Sequence, residues 1–214
     1  MRLLSAISII LFLSSINASK IEFDRYTIDD GLSQNTVYKV FQDSRGYIWL
    51  GTQGGLDRFN GYEFKHYEHE SNDSTSIVNG WIRAINEDED GLLWLGTVGG
   101  NLGWFDPYDE IGGEIDLFAD HPDFDRPGYI YDILFHGDYI FLTTLGSGLC
   151  RYNRKDGSTL WYSSDSTSKH YIKDRVFTNV YSISEDKILL GDRSIIILNT
   201  ETNEHVEPYN ELIE

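Results

Sequence analysis

The sequence contains a single cysteine, Cys150, and comparatively few basic residues. A lone cysteine cannot form a disulfide within the chain, so a folded state must be stabilised by a packed core. Lysine and arginine number 17 against 35 aspartate and glutamate residues, which gives a formal net charge of −18 at pH 7. Such a surface repels phosphate backbones and anionic lipid headgroups. The composition therefore argues against nucleic acid as a partner.

Long apolar runs are missing apart from one at the N-terminus. The run from Leu3 to Leu13 follows a single positive charge at Arg2 and precedes small and polar residues. It is shorter than the ~20 residues needed to cross a bilayer, and its flanks are typical of a secretory signal peptide. The sequence thus predicts a signal peptide over residues 1–18, cleaved after Ala18, with no membrane insertion after cleavage. An uncleaved N-terminal anchor is the alternative.

Sustained helical periodicity is also missing, and in its place one motif recurs. The tetrapeptide WLGT begins at residues 49 and 94, and degenerate copies, FLTT and LLGD, begin at residues 141 and 189. The segments upstream recur as well, as TVYKVFQD, WIRAINED, YIYDILFH and NVYSISED. Repetition at intervals of about 40–50 residues is typical of architectures such as propellers. We therefore divide the chain into four units, at 37–78, 79–126, 127–176 and 177–214.

Each unit is expected to form four short strands, because aromatic and β-branched segments are separated by Gly, Asp and Asn turns. The second strands carry the WLGT motif, and the third strands carry LDRFN and its counterparts. The predicted first strands are Val37–Gln42, Ile82–Asn86, Ile130–Phe135 and Val180–Ser184. The predicted fourth strands are FKHY (64–67), IDLF (115–118), TLWY (159–162) and HVEPY (205–209).

This organisation predicts an all-β fold, specifically a β-propeller with about four four-stranded blades. The second strands are apolar on consecutive residues, as expected when both faces of a sheet are covered. We expect the blade cores to contain Trp49, Trp94, Phe141, Gly51 and Gly96. A β-sandwich is the alternative, although it gives no reason for copies this regular.

Residues 19–36 precede the first unit and contain FDRY (23–26), which matches the fourth-strand segment FKHY. An N-terminal strand commonly completes the last blade of a closed propeller, because that pairing removes an exposed sheet edge. The fourth unit already has a fourth strand of its own, so 19–36 is expected to pair with a blade outside these residues. The chain is then the incomplete first part of a propeller of about seven blades. A closed four-bladed ring is the alternative.

Two long segments carry a resemblance to a known family. The two-component regulator propeller repeat family is closely resembled by the first segment, residues 30–67, DGLSQNTVYKVFQDSRGYIWLGTQGGLDRFNGYEFKHY. The second segment, residues 81–106, WIRAINEDEDGLLWLGTVGGNLGWFD, resembles the family well. The last two units resemble it only faintly. The resemblance implies the periplasmic sensor region of a bacterial receptor. In such receptors a β-sandwich, a membrane helix and a histidine kinase, hybrid kinase or diguanylate cyclase follow. Any such activity would belong to parts of the parent receptor outside these residues.

Motifs that would indicate an enzyme are scarce. The sequence has no G-x-S-x-G segment, phosphate-binding loop or paired-carboxylate motif. His66 and His69 lack the i, i+4 helical spacing of zinc proteases, and we interpret them as surface residues of an outer strand, with Glu68 facing away from both. Cys150 has no histidine near it in its unit, which favours a buried thiol over a nucleophile. We therefore expect no catalytic residue, no bound metal and no cofactor.

A ligand-binding role has more support, because propeller ligands usually lie where loops enter the innermost strands. If the first strand of each unit is innermost, the candidate ligand-binding residues at its entry are Asn35, Trp81, Tyr129 and Asn179. Aromatic rings and amides suit a carbohydrate or another small molecule. The alternative is that these residues only begin strands and cap turns.

The sequence thus favours a non-catalytic, periplasmic ligand sensor. Its expected partners are a small molecule or oligosaccharide, the rest of the parent receptor and a second copy in a homodimer. A propeller enzyme of the lyase or quinoprotein type and a protein-interaction scaffold are the alternatives. Arg58 and Arg151 recur at one third-strand position, and we expect them to pair with acidic neighbours rather than to bind an anion.

Overall fold

The computed structural model describes residues 22–119, 126–192 and 194–208. Within those ranges it contains sixteen β-strands and a short 3-10 helix, Ile28–Asp30. The strands are β1 (Val37–Gln42), β2 (Ile48–Thr52), β3 (Leu56–Phe59), β4 (Phe64–Tyr67), β5 (Ile82–Glu87), β6 (Leu93–Thr97), β7 (Leu102–Asp106), β8 (Ile111–Ile115), β9 (Ile130–His136), β10 (Tyr139–Thr144), β11 (Leu149–Asn153), β12 (Thr159–Tyr162), β13 (Asn179–Ser184), β14 (Lys187–Gly191), β15 (Ile195–Asn199) and β16 (His205–Val206).

The strands form four separate antiparallel sheets, each made of four strands that are consecutive in sequence. We number these sheets units 1 to 4 in chain order. The first strands of successive units lie side by side, so they are innermost and the sheets extend outward from them like blades. The all-β propeller fold that the repeats predict is thereby confirmed. No helix in the described ranges is long and apolar enough to cross a membrane.

The hydrophobic core consists of three clusters, one between each pair of neighbouring units. The second strands supply their central aromatic side chains: Trp49 and Phe141 are fully buried, and Trp94 is 7% exposed. Trp49, for example, packs edge-on against Phe105 of unit 2, with 6.0 Å between ring centroids. A blade of this kind covers its apolar faces only by stacking on its neighbours, which explains why the motif recurs.

The glycine of the WLGT motif allows the next blade to approach closely. A Cβ atom on Gly96 would lie 2.5 Å from Ile130 Cγ2, and one on Gly51 would lie 2.9 Å from the carbonyl oxygen of Ile82. Ile82 and Ile130 belong to the inner strands of the following units. Both separations are shorter than van der Waals contact, so a larger residue would push neighbouring inner strands apart.

A buried aspartate organises the turn between the first and second strands of units 1 and 2. Asp43 accepts hydrogen bonds from two backbone N–H groups of its turn, at 2.8 and 3.0 Å, and from Trp49 Nε1 at 2.8 Å. Asp88 accepts the equivalent three, from two turn N–H groups at 3.0 Å and from Trp94 Nε1 at 2.8 Å. One carboxylate therefore fixes the turn and satisfies the indole N–H of the core. Units 3 and 4 have shorter turns and no tryptophan at this place.

Most strands lie where the sequence predicts them. The bounds of β1 agree fully, and those of β5, β9 and β13 differ from prediction by one residue at one end. The fourth strands of units 1 and 3, β4 and β12, coincide with FKHY and TLWY. In unit 4, β16 covers the first two residues of HVEPY, and the last residue of that segment lies outside the described residues.

The fourth strand of unit 2 lies earlier than predicted. The sequence suggested 115–118, but β8 spans Ile111–Ile115. Glycines weaken the strand signal of this segment, yet the fold requires one at Gly113, where a Cβ atom would lie 2.6 Å from the indole nitrogen of the adjacent strand. Asp116 then accepts a hydrogen bond from Phe118 N at 2.9 Å and turns the chain. Phe118 is consequently a buried core residue outside any strand.

The segment before unit 1 packs against that unit without forming a strand at residues 23–26. Tyr26 contacts Phe59 and Phe64 of unit 1, at centroid separations of 4.9 and 5.7 Å, while Phe23 is exposed. The pairing of this segment with a final blade stays a prediction. The predicted signal peptide, residues 1–18, lies outside the described residues.

Candidate functional site

The inner strands of units 1 to 3 each contain a β-bulge near their start. The pairing of β1 with β2 skips Tyr38, that of β5 with β6 skips Arg83, and that of β9 with β10 skips Tyr131. These three residues occupy the same position of the repeat. In unit 4 the irregularity lies at the other end of the strand, at Ile183. Bulges redirect side chains and are frequent beside functional sites, so the three residues define a candidate site.

The bulge residues and two aromatic residues at strand entries form what we call the rim cluster: Tyr38, Trp81, Arg83, Tyr129 and Tyr131. The guanidinium carbon of Arg83 lies 4.6 Å from the ring centroids of both Tyr38 and Tyr129, and 5.1 Å from that of Tyr131. The centroids of Trp81 and Tyr38 are 5.8 Å apart, as are those of the two unit 3 tyrosines. All five residues are partly exposed. Because they come from or directly precede the inner strands of three adjacent units, the cluster lies at the inner edge of the sheets, where these strands begin.

A charged pair lies beside the rim cluster. Lys39 Nζ is 3.0 Å from Asp132 Oδ1, which joins the inner strands of units 1 and 3. The other carboxylate oxygen of Asp132 accepts a hydrogen bond from Val180 N of unit 4 at 3.2 Å. Lys39 and Asp132 directly follow the bulge residues Tyr38 and Tyr131 in sequence. The acidic group next to the cluster is thus already paired.

The structure brings together two of the four residues that the sequence nominates for ligand binding, Trp81 and Tyr129. Asn35 is exposed and accepts a hydrogen bond from Ile28 N at 3.0 Å, which holds the N-terminal segment. Asn179 is exposed and donates to the hydroxyl of its neighbour in sequence, at 2.8 Å. A ligand-binding role for any of the four stays a prediction.

Sequence reasoning missed Tyr38, Arg83 and Tyr131. A signal for them exists, because each follows the first β-branched residue of its inner strand, and Tyr181 stands at the same place in unit 4. In a regular strand successive side chains point to opposite faces of the sheet, so alternation alone would place these residues on one face of their own blade and not beside the residues of other blades. Only the bulge, which the sequence does not reveal, turns them toward one another.

The third-strand arginines join adjacent blades. A guanidinium nitrogen of Arg58 lies 3.8 Å from Glu110 Oε1 in unit 2, which confirms the expected acidic partner. For Arg151 that expectation is wrong: its guanidinium donates to Asn203 Oδ1 at 3.1 Å and to the carbonyl oxygen of Thr200 at 3.2 Å, both in unit 4. A carbonyl oxygen and an amide oxygen of the turn after β15 are the acceptors in place of a carboxylate.

The histidines of HYEH have partners of their own. His66 Nδ1 lies 3.1 Å from Asp57 Oδ1, and its Nε2 lies 3.1 Å from Glu68 Oε1. The expectation that Glu68 faces away from both histidines is therefore wrong, because residues two apart in an extended segment share a face. His69 Nδ1 lies 2.8 Å from a backbone carbonyl oxygen. Within 22–119, 126–192 and 194–208, no group of three His, Cys, Asp or Glu side chains is placed to hold a metal ion.

Asp57 and Cys150 are buried titratable residues that lie outside the rim cluster. Asp57 is fully buried and accepts hydrogen bonds from the hydroxyl and the backbone N–H of Ser33. Burial raises the pKa of Asp57 above its ordinary value of 3.8, although Ser33 and His66 act in the opposite direction. Burial also raises the pKa of the Cys150 thiol, so this cysteine is a poor nucleophile at neutral pH.

Two segments of the chain match the family described as two component regulator propeller, residues 31–54 and 76–99. A stretch of 82 residues, 36% of this chain, is 43% identical to part of a protein named histidine kinase P4 from Formosa agariphila. That stretch covers 6% of the relative. The chain therefore spans only a small part of the length of this relative.

Two solved structures that share the fold come from B. thetaiotaomicron. The extracellular domain described as that of hybrid two-component system BT3049 is similar with a TM-score of 0.73 and 19% identity, over 86% of this chain and 26% of that chain. The extracellular domain described as that of one-component system BT4673 is similar with a TM-score of 0.62 and 17% identity, over 86% of this chain and 30% of that chain. At such identities the similarity establishes the fold alone.

The segments that match the family contain the first two strands of units 1 and 2. Each contains the turn aspartate, the core tryptophan and the close-packed glycine described above. The family that these two segments match is a propeller family, and the described residues of this chain have a propeller fold. The predicted resemblance is confirmed, and units 1 and 2 of this chain carry the two-component regulator propeller repeat.

Proposed function

We propose that this chain is the extracytoplasmic ligand-sensing propeller region of a bacterial two-component receptor and is itself non-catalytic. The observation that carries the proposal is the rim cluster, in which four aromatic rings and one cation from three blades lie together at the start of the inner strands. The family match and the similarity to extracellular domains of receptors support a sensor. The signal-peptide pattern of residues 1–18 supports export to the periplasm.

The proposed ligand is a carbohydrate or another small molecule at the channel mouth. Aromatic faces stack on the CH faces of sugars, while polar groups at the edges bind hydroxyls. The hydroxyl groups of Tyr38, Tyr129 and Tyr131 form no hydrogen bond with any other described residue. They are therefore available to a ligand.

The rim cluster contains residues of three blades, which suggests how ligand binding could be transmitted through the propeller. A ligand that contacts units 1, 2 and 3 together favours one packing arrangement of these blades over another, and such differential affinity shifts the population of the two. The rest of the parent receptor, and a second copy of it in a homodimer, would respond to that shift. A kinase or cyclase output would lie in the parent receptor.

A thermal-shift screen of the purified chain against neutral and acidic saccharides tests the proposal. At least one saccharide should raise the melting temperature, and the rise should grow with the logarithm of its concentration above Kd, because a ligand at 100 times its Kd stabilises the folded state by about 2.7 kcal/mol. Tyr129→Ala should abolish the shift. Tyr108→Ala, in a loop where the side chain is 85% exposed, should leave it unchanged. Turnover of the saccharide, or no shift with any saccharide, would contradict the proposed function.

A further inference from the structure

We propose that Arg83 is the anion-binding residue of the rim cluster and that the ligand is an acidic saccharide, one that carries a carboxylate. This inference rests on the proposed ligand-sensing function and specifies the chemistry of its site. The binding surface consists of Arg83 and the four aromatic side chains that surround it.

Arg83 has an unusual environment for a half-buried arginine. Its guanidinium contacts three aromatic rings and forms no hydrogen bond or ion pair with any residue of the described part of the chain. The blade-joining residues Arg58 and Arg151, in contrast, each have an oxygen acceptor in the next unit. A partly desolvated cation without acceptors is costly. An anionic ligand would remove that cost by supplying the missing oxygens.

The aromatic rings hold the guanidinium but do not replace an acceptor. Ring faces attract the positive charge through their quadrupole, while the five N–H donors of arginine lie in its plane and need oxygen atoms at the edge. A planar fork of donors matches a carboxylate in a bidentate arrangement. The contacts of Tyr38, Tyr129 and Tyr131 therefore position Arg83 for a ligand carboxylate.

No protein carboxylate competes for Arg83 in the described ranges. Asp132, the acidic residue beside the cluster, already receives Lys39 Nζ and Val180 N. The chain as a whole has a formal net charge of −18, and a protein of that charge repels anions at long range. An anion can therefore bind to this chain only beside a cation that forms no ion pair with the chain's own carboxylates. Arg83 meets that requirement in the described ranges.

The neighbouring rings make a saccharide a better fit than a simple anion. The ring of Trp81 contacts that of Tyr38, and the ring of Tyr129 contacts that of Tyr131. Such flat apolar faces suit the CH groups of a pyranose ring. Trp81 Nε1 is buried and has no hydrogen-bond partner. Replacing Trp81 by Phe would consequently remove ring area without breaking a hydrogen bond of the fold.

Isothermal titration calorimetry on the purified chain tests this inference. The probes are D-glucuronic acid, glucose, glucose 6-sulfate and acetate, which vary the charge, the anion and the sugar separately. The variants are Arg83→Gln, Arg83→Lys and, as a charge-matched control, Lys155→Gln, whose side chain forms an exposed ion pair with Asp138. Melting temperatures show whether each variant is folded, and Arg83→Lys keeps the positive charge should Arg83→Gln fail to fold.

The expected result is that the wild type binds glucuronate about tenfold or more tightly than glucose, as a charge-assisted bidentate contact predicts. Arg83→Gln should remove that preference, Arg83→Lys should retain part of it, and Lys155→Gln should leave it unchanged. Binding of saccharides that ignores Arg83 overturns this inference and leaves the sensor function standing. Equal affinity for acetate, or a preference for the sulfate, overturns the assignment to a saccharide carboxylate. Binding of none of the saccharides overturns both.

Discussion

Asp43 and Asp88 show, at the scale of the residue, how a single carboxylate fixes both a turn and a core ring. The sequence locates these turns through Asp at their first position and Gly at their last. It does not reveal the bond to the tryptophan six residues later, because that bond forms only when the hairpin closes and brings the indole back over the turn. The carboxylates are nearly inaccessible, with Asp43 4% and Asp88 8% exposed.

Replacing Asp43 by Ala should lower the free energy of unfolding by about 2–3 kcal/mol, because it leaves a buried indole N–H and two turn N–H groups without an acceptor. The measurement is urea unfolding followed by tryptophan fluorescence. Asp165→Ala is the matched control, since Asp165 also accepts bonds within a turn but is exposed. Its loss should cost less than about 1 kcal/mol. Equal losses would mean that the tryptophan bond contributes nothing.

The pH dependence of stability should distinguish Asp57 from the exposed carboxylates. Because burial raises the pKa of Asp57, its contribution is fully present below pH 3.8 and is lost as the pH rises through its folded-state pKa. Wild type should therefore lose stability relative to Asp57→Asn as the pH rises from acid to neutral.

Asp156 provides the control of opposite sign for that experiment. The Ser158 hydroxyl and backbone N–H hold the pKa of Asp156 below its ordinary value, so wild type should gain stability relative to Asp156→Asn over the same pH range. Urea unfolding of the three proteins between pH 3 and 7 measures both trends. The same trend in both pairs would show that Asp57 does not titrate as a buried group.

At the scale of the element, the inner strands and the hairpins were predictable and the bulges were not. β-branched and aromatic runs between Asp–Gly turns locate β1, β5, β9 and β13 to within a residue. The position of β8 was missed, because its glycines carry no strand signal and one of them, Gly113, is required by the close approach of a neighbouring indole. The bulge residues were missed for a related reason: pairing register is a property of two strands together.

Gly96→Ala should be destabilising and Gly191→Ala should not, although both glycines hold the third position of the same motif. A Cβ atom on Gly96 would lie 2.5 Å from Ile130 Cγ2, whereas one on Gly191 would meet nothing within 4 Å. Overpacking between inner strands predicts a loss of about 1–3 kcal/mol for Gly96→Ala. Thermal unfolding of the two variants measures the difference, and a tolerated Gly96→Ala would refute the close approach of blades.

At the scale of the whole molecule, the two end faces of the stack of four units are uncovered. Val40 of unit 1 is 61% exposed, while its counterparts Ile85 and Ile133 are 2% and 3% exposed. On unit 4, Ile183 and Val206 are about half exposed. These faces argue against the closed four-bladed ring. We propose that further blades of the parent receptor cover them, in keeping with the longer solved structures that share the fold.

Uncovered apolar faces predict concentration-dependent self-association of the isolated chain. Val40→Lys and Ile183→Lys, each on one end face, should shift the equilibrium toward the monomer in analytical ultracentrifugation. Tyr62→Lys is the matched control, because Tyr62 is 96% exposed on an outer loop of unit 1. A wild-type chain that remains monomeric at all concentrations would contradict the assignment of these faces as contact surfaces.

The central claim, that the rim cluster is the ligand site, is tested most directly by the indole region of a ¹⁵N–¹H spectrum. The chain has five tryptophans, and Trp81→Phe identifies the signal of Trp81. A bound saccharide should shift the Trp81 signal and leave those of Trp49 and Trp94, whose indoles are bonded to buried aspartates, in place. A saccharide that binds while the Trp81 signal stays fixed would contradict the claim.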